Sequence, residues 1–177
     1  MRRDHSSPTE SARPRVAAEV REDDHTRFEI RPAKVDDAGA LARLSNQFGY
    51  AASSRQVHRR LKQILADPTH AVFVAEILCM QSGAPALAGW VHVYVERTLE
   101  SDPTVEFGGM IVEENQRGCG VGTLLVKRAE RWANKTRCLT MTVRSNVLRI
   151  GAHTFYRRLG YRLVKNQKVF RKNLKPA

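Results

Sequence analysis

Cysteine is scarce in this chain: Cys79, Cys119 and Cys138 are its only three, far apart and without a Cys-x-x-Cys pair. That spacing excludes a disulfide framework and fits a reducing compartment. No His stands at ligand spacing from them, so no metal site is expected. No apolar run approaches the roughly 18 residues of a membrane span, so no membrane partner is expected. The opening segment "MRRDHSSPTESARPRVAAEVREDDHT" lacks the apolar centre of a signal peptide, and a soluble, cytoplasmic protein is the expectation. Acidic residues are missing altogether after Glu130, whereas thirteen Lys and Arg follow from Arg131 onward. With a net charge of +12, that imbalance points to a polyanionic partner for the C-terminal third, or to a solvated basic surface.

What is present suits one domain. The chain has 177 residues, 42% of them hydrophobic, enough for one core and too few for two domains. Residues 1–26 carry five Arg against six acids and few large apolar side chains. They are predicted to be a disordered tail ahead of a domain over residues 27–177. "FEIRPA" alternates as a strand. Asp36 and Asp37 offer N-caps to a helix carrying Ala38, Leu41, Leu44 and Phe48 at helical spacing. Ser53 or Ser54 caps a second helix, with Val57, Leu61, Ile64 and Leu65 on one face and Pro68 as its stop. "AVFVAEIL" and "LAGWVHVYVE" read as a hairpin across "MQSGAPA". "TVEFGGMIV" is a further strand, whose Gly108 and Gly109 suggest a bulge or a close backbone approach. "CLTMTV" is a strand and "LRIGAHTFYRRLG" a helix closed by Gly160. "YRLVK" and "KVFRKNL" complete the pattern as two short strands. One mixed sheet with helices on both faces accounts for this order, an α/β (α+β) fold.

The stretch "NQRGCGVGTLLVKRAERWA" sets Gly118, Gly120 and Gly122 at alternate positions directly ahead of a helix. Strand, glycine-rich turn and helix together make an anion site, because the first helical turn has unpaired N–H groups and a positive dipole end. A P-loop would need Lys after the last glycine, where Thr123 and Leu124 stand. A dinucleotide fingerprint would need GxGxxG and an acid about twenty residues on, and no acid follows Glu130. Neither pattern fits.

"RGCGVG", from Arg117 to Gly122, does fit Arg/Gln-x-x-Gly-x-Gly/Ala and resembles the acetyl-CoA loop of the GNAT superfamily of N-acetyltransferases. "EFGGMIV" upstream is similar to that family's strand 4. "RSNVLRIGAHTFYRRLGYR" downstream is similar to its pattern of Asn, Ala, Phe-Tyr and Leu-Gly-Tyr. The resemblance spans about residues 28–174 and leaves out the N-terminal tail.

This resemblance implies a single, mostly antiparallel sheet whose strands 4 and 5 splay apart, with acetyl-CoA in the cleft as co-substrate. Backbone groups of Met110, Ile111 and Val112 would meet the pantetheine arm. Arg117, Gly118, Cys119, Gly120, Val121, Gly122 and Thr123 would hold the pyrophosphate, and Asn146 the cofactor arm; Asn146 also suits a helix N-cap. Glu106 matches the general base that takes the proton of the attacking amine, and Tyr156 the acid that protonates the leaving thiolate. Cys119 occupies a variable loop position and carries no covalent role. His153 is expected to be structural, and Trp90 and Trp132 to lie in the core.

Glu96, Glu100, Asp102 and Glu106 form a local acidic group, read as a mouth for a cationic amine, with Glu100 and Asp102 better suited to a solvated loop. The expected activity is acetyl transfer to a primary amine of a small molecule. The alternatives are a protein α-amine or lysine as acceptor, or a non-catalytic module that binds CoA or nucleic acid. Intact Glu106 and Tyr156 speak against the last, and nucleic acid is not the expected partner. The basic chain disfavours a polycationic acceptor. A homodimer is compatible with the family and not visible in the sequence.

Overall fold

The alternating segments do become strands, and their pairing fixes where everything else sits. The computed structural model describes residues 27–78 and 86–174; the predicted tail and most of the "MQSGAPA" loop lie outside them. Strands β1 (Phe28–Pro32), β2 (His70–Ile77), β3 (Ala86–Glu96), β4 (Thr104–Val112) and β5 (Met141–Thr142) form one sheet in the order β1-β2-β3-β4-β5. Neighbours are antiparallel except β4 and β5, which run parallel. The bulge expected at the paired glycines is present. His92 pairs with Gly109 and Val93 with Phe107, which leaves Gly108 as the extra residue of β4.

Because side chains alternate along a strand, the sheet has two distinct faces. Helices α1 (Ala38–Asn46) and α2 (Ser54–Leu65) cover one face, packing Leu41, Leu44 and Leu61 onto Val72, Val74 and Ile111. Helix α3 (Val121–Ala133) covers the other, with Val121, Leu125, Val126 and Ala129 against Phe73, Val91, Val93 and Phe107. Helix α4 (Ile150–Arg158) joins that second layer through Phe155 and Tyr156. Leu125 is fully buried at the centre of this layer. Leu125→Ala should therefore cost about 2–5 kcal/mol in a urea unfolding titration, the range for a large-to-small change in a packed core.

Helix ends follow their local chemistry. Ser53 caps α2: its Oγ accepts from Gln56 N–H at 3.3 Å while Gln56 Oε1 accepts from Ser53 N–H at 2.8 Å. Gly160 closes α4 at φ +89°, and Tyr161 N–H donates back to Tyr156 O at 3.0 Å. Asp37 acts differently from the N-cap expected of it. A 3-10 turn over Val35–Asp37 precedes α1, and the Asp37 carboxylate accepts from Lys34 N–H and from the Arg31 guanidinium. Leu65, placed on the apolar face of α2 by its spacing, is exposed at the end of the helix.

Two further departures concern the C-terminal part of the sheet. "CLTMTV" yields only the two residues of β5, which meets β4 at Val105–Met141 and Glu106–Thr142 and nowhere else. Beyond Glu106 the two strands part, as the splayed arrangement requires. "YRLVK" and "KVFRKNL" are not strands in the single chain: residues 162–174 are all exposed and make no backbone hydrogen bond with the described residues. Strand propensity alone does not make a strand; the segment has to pair with one.

Candidate active site

The parting of β4 from β5 leaves one side of β4 open. Glu113 N–H donates to Ala88 O of β3 at 2.8 Å. Backbone groups alternate in direction along a strand, so Ile111 also faces β3, whereas Met110 and Val112 turn theirs toward the open side. At the far end of this opening lies the glycine loop.

Gly118 and Gly120 have φ +82° and +79°, the left-handed region that glycine enters without a Cβ penalty. Gly122 serves another purpose. A Cβ there would lie 3.2 Å from the Phe155 ring, so its absence lets α4 close onto the start of α3. Arg117 N–H donates to Glu114 O, whereas the amides of residues 118–123 have no acceptor among the described residues. Six consecutive free N–H groups at a helix N-terminus can hold a phosphate without any side chain. The Arg117 guanidinium stacks over Phe48, 4.9 Å from the ring centroid, which ties the loop to the end of α1.

Glu106 is 1% exposed, and neither carboxylate oxygen has a hydrogen-bond partner among the described residues. Arg144 Nε stands 3.4 Å from its Oε1, an ion-pair contact without hydrogen-bond alignment. Burial pushes the Glu106 carboxyl above the usual range; Arg144 and Lys165 oppose that shift, and Glu96 adds to it. The Arg144 guanidinium also binds Glu96 at 3.3 Å. Glu100 and Asp102 stay exposed in the β3–β4 turn, away from the buried group.

Alternation along β4 puts Glu106 on the face of α1 and α2, and Phe107 on the face of α3 and α4. Tyr156 packs edge-on against Phe107, with ring centroids 6.0 Å apart. Burial holds the Tyr156 hydroxyl up to about 12, with only Arg149 pulling it down. It is therefore a protonated donor throughout the neutral range. Acid and base candidates thus flank β4 from opposite sides.

Asn146 does not cap α4. Its Oδ1 accepts from Leu148 N–H at 2.9 Å, and its carbonyl from Arg149 N–H at 2.9 Å, so it shapes the turn ahead of the helix. His153 Nε2 lies 3.0 Å from the same carbonyl, in keeping with a structural role. Cys119 is half-buried beside the loop, and Trp90 packs in the α1/α2 layer.

A second polar group forms only where β2 pairs with β3. His70 Nδ1 lies 2.9 Å from His92 Nε2, and the His70 ring stacks on Tyr94 at 5.2 Å. Burial, then the charge of His70, lowers His92 to about 4, so it is neutral at pH 7. Its ring fills the space a Gly108 side chain would need, because a Cβ there would be 2.4 Å from His92 Nδ1. Tyr94 pairs with Glu106 across β3 and β4. The alternation in "WVHVYVE" held the signal: Val91 and Val93 are buried on one face, and Trp90, His92, Tyr94 and Glu96 share the other.

Comparison with known proteins agrees with this architecture. The chain superimposes on aminoglycoside N-acetyltransferase AAC(6')-Iy in complex with a bisubstrate analogue, with TM-score 0.70 and 19% identity over 83% of this chain and 99% of the other. The aminoglycoside 6'-N-acetyltransferase AAC(6')-Ih of Acinetobacter baumannii gives 0.69 and 16% over 84% and 99%. Glucosamine-6-phosphate N-acetyltransferase of Arabidopsis thaliana gives 0.69 and 18% over 82% and 99%. At such identities the likeness is one of fold. No curated protein matches the sequence significantly. The model of the acetyltransferase (GNAT) family matches residues 39–161, more than half of the chain. This protein therefore belongs to the acetyltransferase (GNAT) family.

Proposed function

We propose that the protein transfers the acetyl group of acetyl-CoA to a primary amine of a small molecule. The observation that carries this reading is a buried, unbonded carboxylate, Glu106, placed where β4 parts from β5 and followed along the same opening by six free amides. Acetyl-CoA, when bound, supplies an activated thioester. Residues 118–123 offer their N–H groups to its pyrophosphate, and Met110 and Val112 offer backbone groups to its pantetheine amides, as an added strand would use them. Ile111 contributes by holding β4 to β3 through its own backbone, and Asn146 by shaping the turn beside the arm.

An alkyl ammonium has a pKa near 10.4 and must lose its proton before it attacks. Glu106 accepts that proton, directly or through one water, and its raised pKa brings it closer to the working pH. Tyr156 supplies a proton to the departing sulfur from the other side of β4. The neutral His92 and Tyr94, which pairs with Glu106, lie on the same face of the sheet as the base, where they can orient an amine without repelling it.

The charges around the cleft favour an acceptor with one amine over a polycation. Glu96 and Glu106 are offset by Arg144 and Lys165, which leaves little net negative field. The structural relatives named for aminoglycosides and for glucosamine 6-phosphate support a small amino compound in general. A thiol-release screen with acetyl-CoA against small amines, amino acids, amino sugars and peptides tests the assignment. Turnover restricted to peptides would reverse the acceptor class, and no turnover with any amine would remove the activity.

Tyr156→Phe should lower kcat by about 10²–10⁴, as the loss of one positioned proton donor does. The loss should be equally large at pH 7 and pH 9.5, because alkali cannot supply the missing proton. A pH–rate profile that converges with wild type at high pH would take the acid role away from Tyr156.

A further inference from the structure

Two imidazoles meet on the α1/α2 face of the sheet, and packing does not explain them. His70 Nδ1 and His92 Nε2 lie 2.9 Å apart, so one hydrogen is shared between them. An apolar ring would fill the same space without the cost of taking polar atoms out of water. His92 has a second nitrogen, Nδ1, with no hydrogen-bond partner among the described residues. That nitrogen lies over the bulge of β4, because a Cβ on Gly108 would come within 2.4 Å of it. Glu106, whose carboxylate oxygens are also unpartnered, is two residues back along the same strand and on the same face. Two residues of strand span at most about 7 Å, short enough for one small polar group to serve both.

The far end of the group decides which His92 nitrogen carries the hydrogen. Asp67 Oδ2 stands 3.7 Å from His70 Nε2, a contact of charge rather than a hydrogen bond. Thr69 donates its hydroxyl and its N–H to Asp67 Oδ1, which holds the Asp67 carboxyl below the usual range and keeps it ionised at neutral pH. A carboxylate beside one ring nitrogen favours the hydrogen there, so a neutral His70 has Nε2–H and a bare Nδ1. His92 Nε2–H then donates to His70 Nδ1, and His92 Nδ1 is left as a lone pair. Tyr94 stacks on His70 at 5.2 Å and keeps that ring from turning over. Burial keeps His92 itself neutral at pH 7.

We propose that His92 is a second contact of the acceptor nitrogen: its Nδ1 accepts one N–H of the amine that Glu106 deprotonates, and Asp67 and His70 fix the tautomer that allows this. The inference rests on the reading of Glu106 as the base, and it defines the acceptor more narrowly than charge does. A primary ammonium has three N–H bonds. One is broken when Glu106 takes its proton, and the electron pair stays on nitrogen for the attack. Of the two that remain, His92 holds one before and after that step, which restricts the direction of the attacking pair. A tertiary ammonium has a single N–H and cannot serve both groups. The opposite tautomer of His92 would aim a donor at a donor. His70 and Asp67 touch no substrate; they are positioning residues that act through His92.

Nitrogen-15 NMR of the full chain with labelled histidine reads the tautomer and needs no turnover. His92 should carry its hydrogen on Nε2 and show a bare Nδ1, and His70→Phe and Asp67→Asn should each give mixed tautomers. With CoA bound, butylamine should shift the His92 Nδ1 line, and butyltrimethylammonium should not. A hydrogen on Nδ1 in the wild type, or an Nδ1 line indifferent to butylamine, would overturn the proposal. Kinetics with the best amine of the screen give a second readout. His92→Phe should lower kcat/KM for the amine by about tenfold to a hundredfold, the range for a lost hydrogen bond to a charged group. His92→Asn sets an oxygen close to where Nδ1 stands and should recover most of that loss. In both variants the KM for acetyl-CoA and the melting shift given by CoA should stay as in the wild type. Equal losses in the Phe and Asn variants would reduce His92 to a structural residue and overturn the proposal. The expected NMR result without turnover of any amine would strike the acetyl-transfer reading and leave the amine contact standing.

Discussion

Glu106→Gln is expected to lose about 10²–10⁴ in kcat/KM at neutral pH, the range for removing a positioned general base. The glutamine keeps the shape and burial of the side chain but cannot accept a proton. Raising the pH should recover part of the loss, because more of the amine is then neutral before it binds. In the wild type, the carboxyl pKa is raised, chiefly by burial. The acid limb of its pH–rate profile should therefore lie above the usual carboxylate range, and the variant should lack that limb.

Stability should move the other way. A carboxyl whose folded pKa exceeds its unfolded one favours folding while protonated. That contribution is complete below the unfolded pKa and disappears as pH rises through the folded one. Above both values the ionised, unbonded Glu106 is a burden that Gln never carries. Glu106→Gln should thus melt at a higher temperature than wild type at pH 7 to 8, and at the same temperature near pH 3. Activity loss below tenfold together with an unchanged melting temperature would show that Glu106 is neither base nor buried charge.

Gly120→Asp is expected to abolish the thermal stabilisation by CoA. At 100 times its dissociation constant, a ligand specific for the native state adds about 2.7 kcal/mol, or roughly 5–10 °C at this size. Gly120 stands at the N-cap of α3 with φ +79°, directly below the free amides. An aspartate there would turn its carboxylate onto the same N–H groups that a phosphate needs, and would repel the phosphate as well. Gly120→Ala separates the two effects: it introduces the left-handed strain without the charge and should retain part of the shift. Melting curves with and without CoA decide it. A full shift in Gly120→Asp would remove the glycine loop as the phosphate site.

The sequence alone made the central elements legible, for local reasons. A β-rich run with paired glycines marked β4 and its bulge, and helical spacing with a capping serine marked α2. The glycine loop was readable because positive φ and the lack of a Cβ are properties of single residues. The same locality explains the failures. Residues 162–174 have strand composition but no backbone partner among the described residues, and β5 is two residues long because it parts from β4 beyond Glu106. The His70–His92 pair is formed by residues 22 positions apart and depends on the β2–β3 register.

What the sequence by itself determined was therefore the family, the turn at Gly118–Gly122 and the candidate pair Glu106 and Tyr156. Only the tertiary structure decided how these groups behave. Pairing of β3 with β4 buries Glu106 beside Tyr94, and that burial, with Glu96 nearby, raises its pKa. The bulge at Gly108 makes room for His92. Each of these depends on desolvation and contacts between residues distant along the chain, and those quantities exist only once the sheet has assembled.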